Sequence, residues 1–129
     1  MLNRDLKPPR IDTLIAKSVR VRGDLEFSGG LHLDGHVEGN VRAEPPAQAT
    51  LSVSETGSIE GSIEAHDVVL NGTVRGDILA TGRVVLGSKA RVEGNVHYGV
   101  IEVTLGAQIS GKLLRLDPPP AEPALAESR

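Results

Sequence analysis

The 129-residue chain contains no cysteine, no tryptophan, one phenylalanine, one tyrosine and one methionine. Without cysteine it is indifferent to the redox state of its compartment. One Phe and one Tyr cannot fill the wide core of a sandwich or an α/β domain, whereas stacked Val, Ile, Leu and Ala fill a narrow tube well. No run approaches the roughly 20 apolar residues of a membrane-spanning helix. Met1 to Lys7 leads into Pro8 and Pro9 rather than into the apolar stretch of a secretory signal, so a cytoplasmic location is the expectation. Charge of neither sign is concentrated. Against 14 Lys and Arg stand 17 Asp and Glu, a net charge of −3 with no basic patch and no interleaved aromatics, which argues against nucleic acid as a partner. Also missing is any long stretch with apolar residues three and four apart, and no helix is predicted.

What the chain does have is one phrase repeated six times: an apolar residue, any residue, Gly, a polar residue and an apolar residue. The copies start at Val21, Val37, Ile59, Val74, Val92 and Ile109, with steps of 16, 22, 15, 18 and 17 residues. Upstream of every copy but the first lies an apolar-x-apolar pair: Leu31/Leu33, Leu51/Val53, Val68/Leu70, Val84/Leu86 and Val103/Leu105. Apolar residues at every second position are the mark of strands. Gly, Asn, Asp and Ser at fixed offsets mark corners between them. Three sides of about six residues account for each step, and the step of 22 fits if Ala43 to Gln48, with Pro45 and Pro46, bulges from a corner as a loop. The predicted fold is all-β: a three-sided parallel β-helix of about six rungs over residues 17–116. Residues 1–16 and the Pro-rich residues 117–129 are expected to be flexible or disordered tails. Ile11 to Ala16 is the stretch of the first tail suited to fold over the first rung.

Rungs stack about 4.8 Å apart, so equivalent residues become neighbours in columns. The second position of the phrase reads Arg22, Glu38, Glu60, Arg75, Glu93, Ser110 along the coil. Three of its steps pair opposite charges, each exposed pair being worth under about 1 kcal/mol. Glu38 beside Glu60 is a like-charge step. Within the upstream pairs the outward residues read His32, Ser52, Val69, Val85 and Thr104, a strip of strand surface.

Chemical constellations are sparse. Gly106 to Lys112 matches most of a phosphate-binding loop, but Leu113 stands where a Ser or Thr would hold magnesium, and no helix pattern follows. His32, His36, His66 and His97 occupy different repeat positions and read as solvated surface residues rather than metal ligands. Asn71-Gly72-Thr73 matches a glycosylation sequon inside a rung. Carboxylates are scattered over outward columns with no apolar pocket to perturb them. No catalytic residue, cofactor or metal is predicted, and an enzyme is not expected.

A coil of strands has an open edge and uncovered core residues at each end. The end rungs are the most irregular ones, with the lone Phe27 after the first phrase and Leu113, Leu114 and Leu116 closing the last. End-to-end stacking would satisfy the edges and bury these groups.

The serial phrase Val-x-Gly-[Asp/Asn]-[Val/Ile/Leu], with the segment from Leu31 to Val41, a short polar N-terminal tail and a Pro-rich C-terminal tail, resembles the bactofilins over roughly residues 14–116. The resemblance implies a right-handed coil that polymerises end to end, without nucleotide, into filaments lacking polarity. It implies a bacterial cytoskeletal scaffold that helps set cell shape or localises cell-wall enzymes and other proteins at the inner membrane. The first-rung contact would then involve Val19, Val21, Leu25 and Phe27, and the last-rung contact Ile109, Leu113, Leu114 and Leu116. A membrane contact would use Met1, Leu2, Arg4, Leu6 and Lys7. Leu114→Arg or Phe27→Arg is expected to spare the fold and disrupt assembly.

Two other classes compete. A hexapeptide-repeat acyltransferase needs an aliphatic residue every six positions, but the series from Ile59 continues Ala65, Asn71, Asp77. A non-polymerising adaptor, with ends capped by its tails and rung faces binding a partner protein, stays open.

Overall fold

The computed structural model describes residues 13–43 and 49–116, and among these are fifteen strands and no helix. The first turn of the coil is β1 (Thr13–Ile15), β2 (Arg20–Arg22) and β3 (Leu25–Phe27). The second is β4 (Gly30–Leu33), β5 (His36–Glu38) and β6 (Val41–Ala43), and the third begins with β7 (Thr50–Val53) and β8 (Ser58–Glu60). Three longer strands then round a corner, each closing one turn and opening the next: β9 (Ile63–Leu70), β11 (Ile78–Leu86) and β13 (Val96–Val103). Between and after them lie β10 (Thr73–Arg75), β12 (Arg91–Glu93), β14 (Gln108–Ser110) and β15 (Leu113–Arg115).

All pairings are parallel and link each turn to the next. One side stacks β1, β4, β7, β9, β11 and β13; a second stacks β2, β5, β8, β10, β12 and β14; the third stacks β3, β6, β9, β11, β13 and β15. The result is the expected three-sided β-solenoid of six turns. It starts ahead of the boundary at residue 17, because Thr13, Leu14 and Ile15 pair with Leu31, His32 and Leu33. The proline-containing segment 44–48 and both terminal stretches lie outside the described residues. Across that segment the ladder resumes in register, with Gly30 opposite Thr50.

Alternation sends one residue type inward on each side. Val37, Ile59, Val74 and Val92 form an inner column on the second side, each at most 1 % exposed. Leu33, Val53, Leu70 and Leu86 do the same on the first side, and Val41, Ile63, Ile78 and Val96 on the third. The corner position of the third side narrows to Ala65 and Ala80, with Tyr98 above them. The larger Phe27 occupies this position in the first turn, next to Ala43 in the second.

The glycine of the phrase is dictated by stacking. Gly39, Gly61, Gly76, Gly94 and Gly111 have φ between 152° and 154°, and a Cβ on any of them would lie 2.0–2.2 Å from the carbonyl oxygen of the glycine one turn below. The polar residue that follows forms a ladder along the same corner. Asp24 Oδ1 accepts from the Asn40 N–H (3.0 Å), Asn40 Oδ1 from Ser62 N–H (2.9 Å), Asp77 Oδ1 from Asn95 N–H (3.0 Å) and Asn95 Oδ1 from Lys112 N–H (3.1 Å). Lys112, in the final turn, has no side-chain oxygen to continue it. Asp77→Ala is therefore expected to cost about 1 kcal/mol in urea unfolding, and Asp77→Asn much less because it keeps the acceptor. Equal losses from both would show that the charge, not the acceptor, matters.

The outward column has the predicted register, Arg22–Glu38–Glu60–Arg75–Glu93–Ser110. Arg22 lies 3.6 Å from Glu38, and Arg75 sits between Glu60 (3.8 Å) and Glu93 (3.7 Å).

In the last turn the register departs from expectation. Val84, Val85 and Leu86 pair with Ile101, Glu102 and Val103. The inward pair is Ile101/Val103 rather than Val103/Leu105, and Glu102 replaces Thr104 as the outward residue. Thr104 to Ala107 instead form a turn closed by the Ala107 N–H donating to the Thr104 carbonyl (3.1 Å), which leaves Leu105 93 % exposed. The two-residue offset is taken up at the corner, where Thr104 to Ala107 form a four-residue turn like those of the third and fifth turns.

Candidate assembly surface at the last turn

The sixth turn has the fifth beneath it and, among the described residues, no strand beyond it: β14 ends one sheet, and β15 ends the other. Its main-chain groups on the outer side therefore face an open parallel edge. Its inward side chains, which in any middle turn would be buried, are uncovered. Val103 is 51 % and Leu113 43 % exposed, and Ile101 and Ile109 are half-buried.

The first turn differs. Val19 is exposed and Val21 and Leu25 are half-buried, but Ile15 and Phe27 are 8 % and 7 % exposed. Phe27 is turned into the core beside Ala43 rather than presented at the end. Leu114 is exposed but points sideways: it follows the inward Leu113 on β15 and sits next to His97 in the outward column. Leu116 is half-buried, its N–H donating to the Tyr98 carbonyl (2.8 Å). Sequence reasoning placed Ile109 and Leu113 in the last turn but missed Ile101 and paired Val103 with the wrong partner. The five-residue interval from Ile63 to Val68, repeated from Val96 to Ile101, was the signal available. Met1, Leu2, Arg4, Leu6 and Lys7 lie outside the described residues.

Three of the four histidines are engaged locally. His32 Nε2 lies 3.0 Å from Asp34 Oδ1, His36 Nε2 3.3 Å from Glu38 Oε2, and His66 Nδ1 3.1 Å from Asp67 Oδ1, while His36 Nδ1 meets the Ser58 hydroxyl. The Ser54 hydroxyl first, then His32 and Lys17, hold the Asp34 carboxyl below its ordinary range. His36, Glu38 and Glu60 bring one donor atom each within 4.8 Å of one another at the like-charge step. Both carboxylates are surface groups that also face Arg22 and Arg75. The segment Gly106 to Lys112 is a turn, β14 and the next corner, with no helix start behind it. Among the described residues no helix is long and apolar enough to cross a membrane.

Fold and surface together define a class: a repeat protein built by stacking identical rungs, with an uncovered rung at its end. The sequence matches the Bactofilin family, described as polymer-forming cytoskeletal, over residues 13–114. The chain belongs to this family. It is 28 % identical over 102 residues to the bactofilin BacO of Myxococcus xanthus (strain DK1622), covering 79 % of this chain and 78 % of that protein. To the bactofilin BacP of the same organism it is also 28 % identical over 102 residues, here covering 79 % of this chain but only 41 % of BacP. No solved structure matches. The family is one of cytoskeletal structural proteins, in keeping with a surface read as architectural rather than catalytic.

Proposed function

We propose that this chain is the subunit of a cytoskeletal filament built by end-to-end stacking of its coil, without nucleotide. The observation that carries this reading is the uncovered sixth turn, with Val103 and Leu113 about half exposed above an open strand edge. Joined to another copy, the core columns continue across the junction and the edge groups find partners. The filament has like ends meeting, the last-turn junction formed by Ile101, Val103, Ile109 and Leu113, with Leu114 and Leu116 at its rim. The first-turn junction uses Val19, Val21 and Leu25 over a core plugged by Phe27. Such a filament serves as a scaffold that organises cell shape or holds cell-wall enzymes or other client proteins at the inner membrane. Met1, Leu2, Arg4, Leu6 and Lys7 are the membrane contact of the N-terminal tail, made effective by many copies in one polymer.

The burial of Ile15 and Phe27 in the first turn favours a second reading, in which the coil joins only through its last turn and works as a discrete adaptor binding a partner on its faces. Negative-stain electron microscopy of the purified chain at physiological salt, with neither nucleotide nor metal, separates them. Filaments a few nanometres wide are the expected result; discrete particles would overturn the filament reading in favour of the adaptor.

A further inference from the structure

The corner between the first and second sides is not smooth. In turns one, three, five and six it is a four-residue turn that projects two exposed residues: Lys17-Ser18, Glu55-Thr56, Ser88-Lys89 and Leu105-Gly106. Each is closed by a backbone hydrogen bond, Val19 N–H to the Ala16 carbonyl (3.0 Å), Gly57 N–H to Ser54 (2.9 Å), Ala90 N–H to Gly87 (3.1 Å) and Ala107 N–H to Thr104 (3.1 Å). In turns two and four the same corner is only Asp34-Gly35 and Asn71-Gly72, with the glycines buried. Close packing against the preceding turn keeps these two corners short, because no larger residue can replace either glycine. A Cβ on Gly35 would lie 2.3 Å from the Val19 carbonyl oxygen and 2.5 Å from that of Ala16, and one on Gly72 would lie 2.3 Å from Gly57 and 2.4 Å from Ser54. The Glu55-Thr56 tooth is braced across its notch by the Thr56 hydroxyl donating to the Asp34 carbonyl (2.9 Å).

The corner is therefore a ridge of teeth separated by notches, and the charges alternate: Lys17, then Glu55, then Lys89 on the teeth, with Asp34 in the first notch and Asn71 in the second. Through the first five turns teeth and notches alternate, and they mesh with those of an identical ridge. In an antiparallel mesh, Lys89 of each copy enters the Asp34 notch of the other, between Lys17 and Glu55, where two carboxylates outweigh one ammonium. By the same two-fold axis each Glu55 enters the other's Asn71 notch, between its Glu55 and Lys89 teeth, and the Lys17-Ser18 tooth of each copy faces the uncharged Leu105-Gly106 tooth of the other. One surface carrying both the Lys89 knob and the acidic Asp34 socket that suits it is self-complementary, which identifies the occupant as a second copy of this chain.

We propose that this ridge is a lateral self-association surface, pairing coils side by side in antiparallel register. The contact is independent of the end junction, although a polymer would multiply it. Zero-length carbodiimide coupling of amine to carboxylate tests it. Lys89 and Asp34 lie three turns apart within one chain, about 14 Å, so a Lys89–Asp34 cross-link identified by mass spectrometry is intermolecular. We expect it at low salt, with at least a tenfold loss at about 0.5 M salt, where charge screening acts within about 4 Å. Asn71→Asp, which leaves both reacting groups in place but sets a like charge opposite the partner's Glu55, should lower the yield about threefold; adding Glu55→Gln should restore it. No Lys89–Asp34 cross-link at low salt, or a yield indifferent to salt and to Asn71→Asp, would overturn the proposal. High-speed pelleting of the same wild-type sample scores the end-to-end filament separately, so either reading can fail alone.

Discussion

Gly76→Ala should destabilise the coil by roughly 4 kcal/mol, whereas the same substitution at Gly23 should cost only about 1–2 kcal/mol. Both glycines occupy the phrase's third position with positive φ, 152° and 129°, so each alanine carries the backbone strain of a conformation that L residues avoid. Only Gly76 adds a steric collision. Its Cβ would meet the Gly61 carbonyl oxygen at 2.2 Å, while a Cβ at Gly23, in the first turn, meets no atom of the described residues within 4 Å. The obstructing atom is backbone in a paired strand, so relief requires parting the third and fourth turns. Because each turn contacts only its neighbours, that break divides the core in two. Urea unfolding of both variants, below the concentration at which the chain assembles, checks this; similar losses would mean that strain, not stacking, selects the glycine.

Leu113→Arg is expected to leave the coil folded and to raise the concentration needed for assembly at least a hundredfold. Leu113 is an inward residue of the last turn and 43 % exposed, so in a lone chain the arginine stem can lie over the core end with its charge in water. In an end-to-end stack the same charge is trapped in an apolar junction without a counter-charge, at a penalty of several kcal/mol. A hundredfold shift needs only about 2.7 kcal/mol. Circular dichroism melting and high-speed pelleting separate the two effects. Loss of pelleting with an unchanged melt is expected, and pelleting at the wild-type threshold would remove the last turn from the interface. Leu114→Arg should act more weakly, since Leu114 points to the side of the coil. Phe27→Arg tests the fold instead, because Phe27 is 7 % exposed in the first-turn core.

Much of the architecture was legible because a solenoid writes its tertiary contacts into its sequence period. The outward column from Arg22 to Ser110 follows from the position of each phrase, and every pairing in it has the expected register. The Asp and Asn after the phrase glycine were legible as corner residues. Their role as acceptors for the next turn's N–H groups was not, since it depends on the rise between turns. The misread pair at the end of β13 has a similar origin. Val103 and Leu105 alternate as well as Ile101 and Val103 do, and only the ladder against Val84 and Leu86 chooses between them.

By itself, the sequence determined the strand periodicity, the places where glycine is required, the six-turn length and the family, because these depend on residue type at fixed spacing. Tertiary structure decided which apolar residues are uncovered and how the corner is shaped. Phe27 is buried and Val103 exposed although both are apolar residues of end turns, because exposure depends on which neighbouring turn lies over each side chain. Likewise, Lys17, Glu55 and Lys89 are far apart in the chain and form one toothed ridge only when the turns stack.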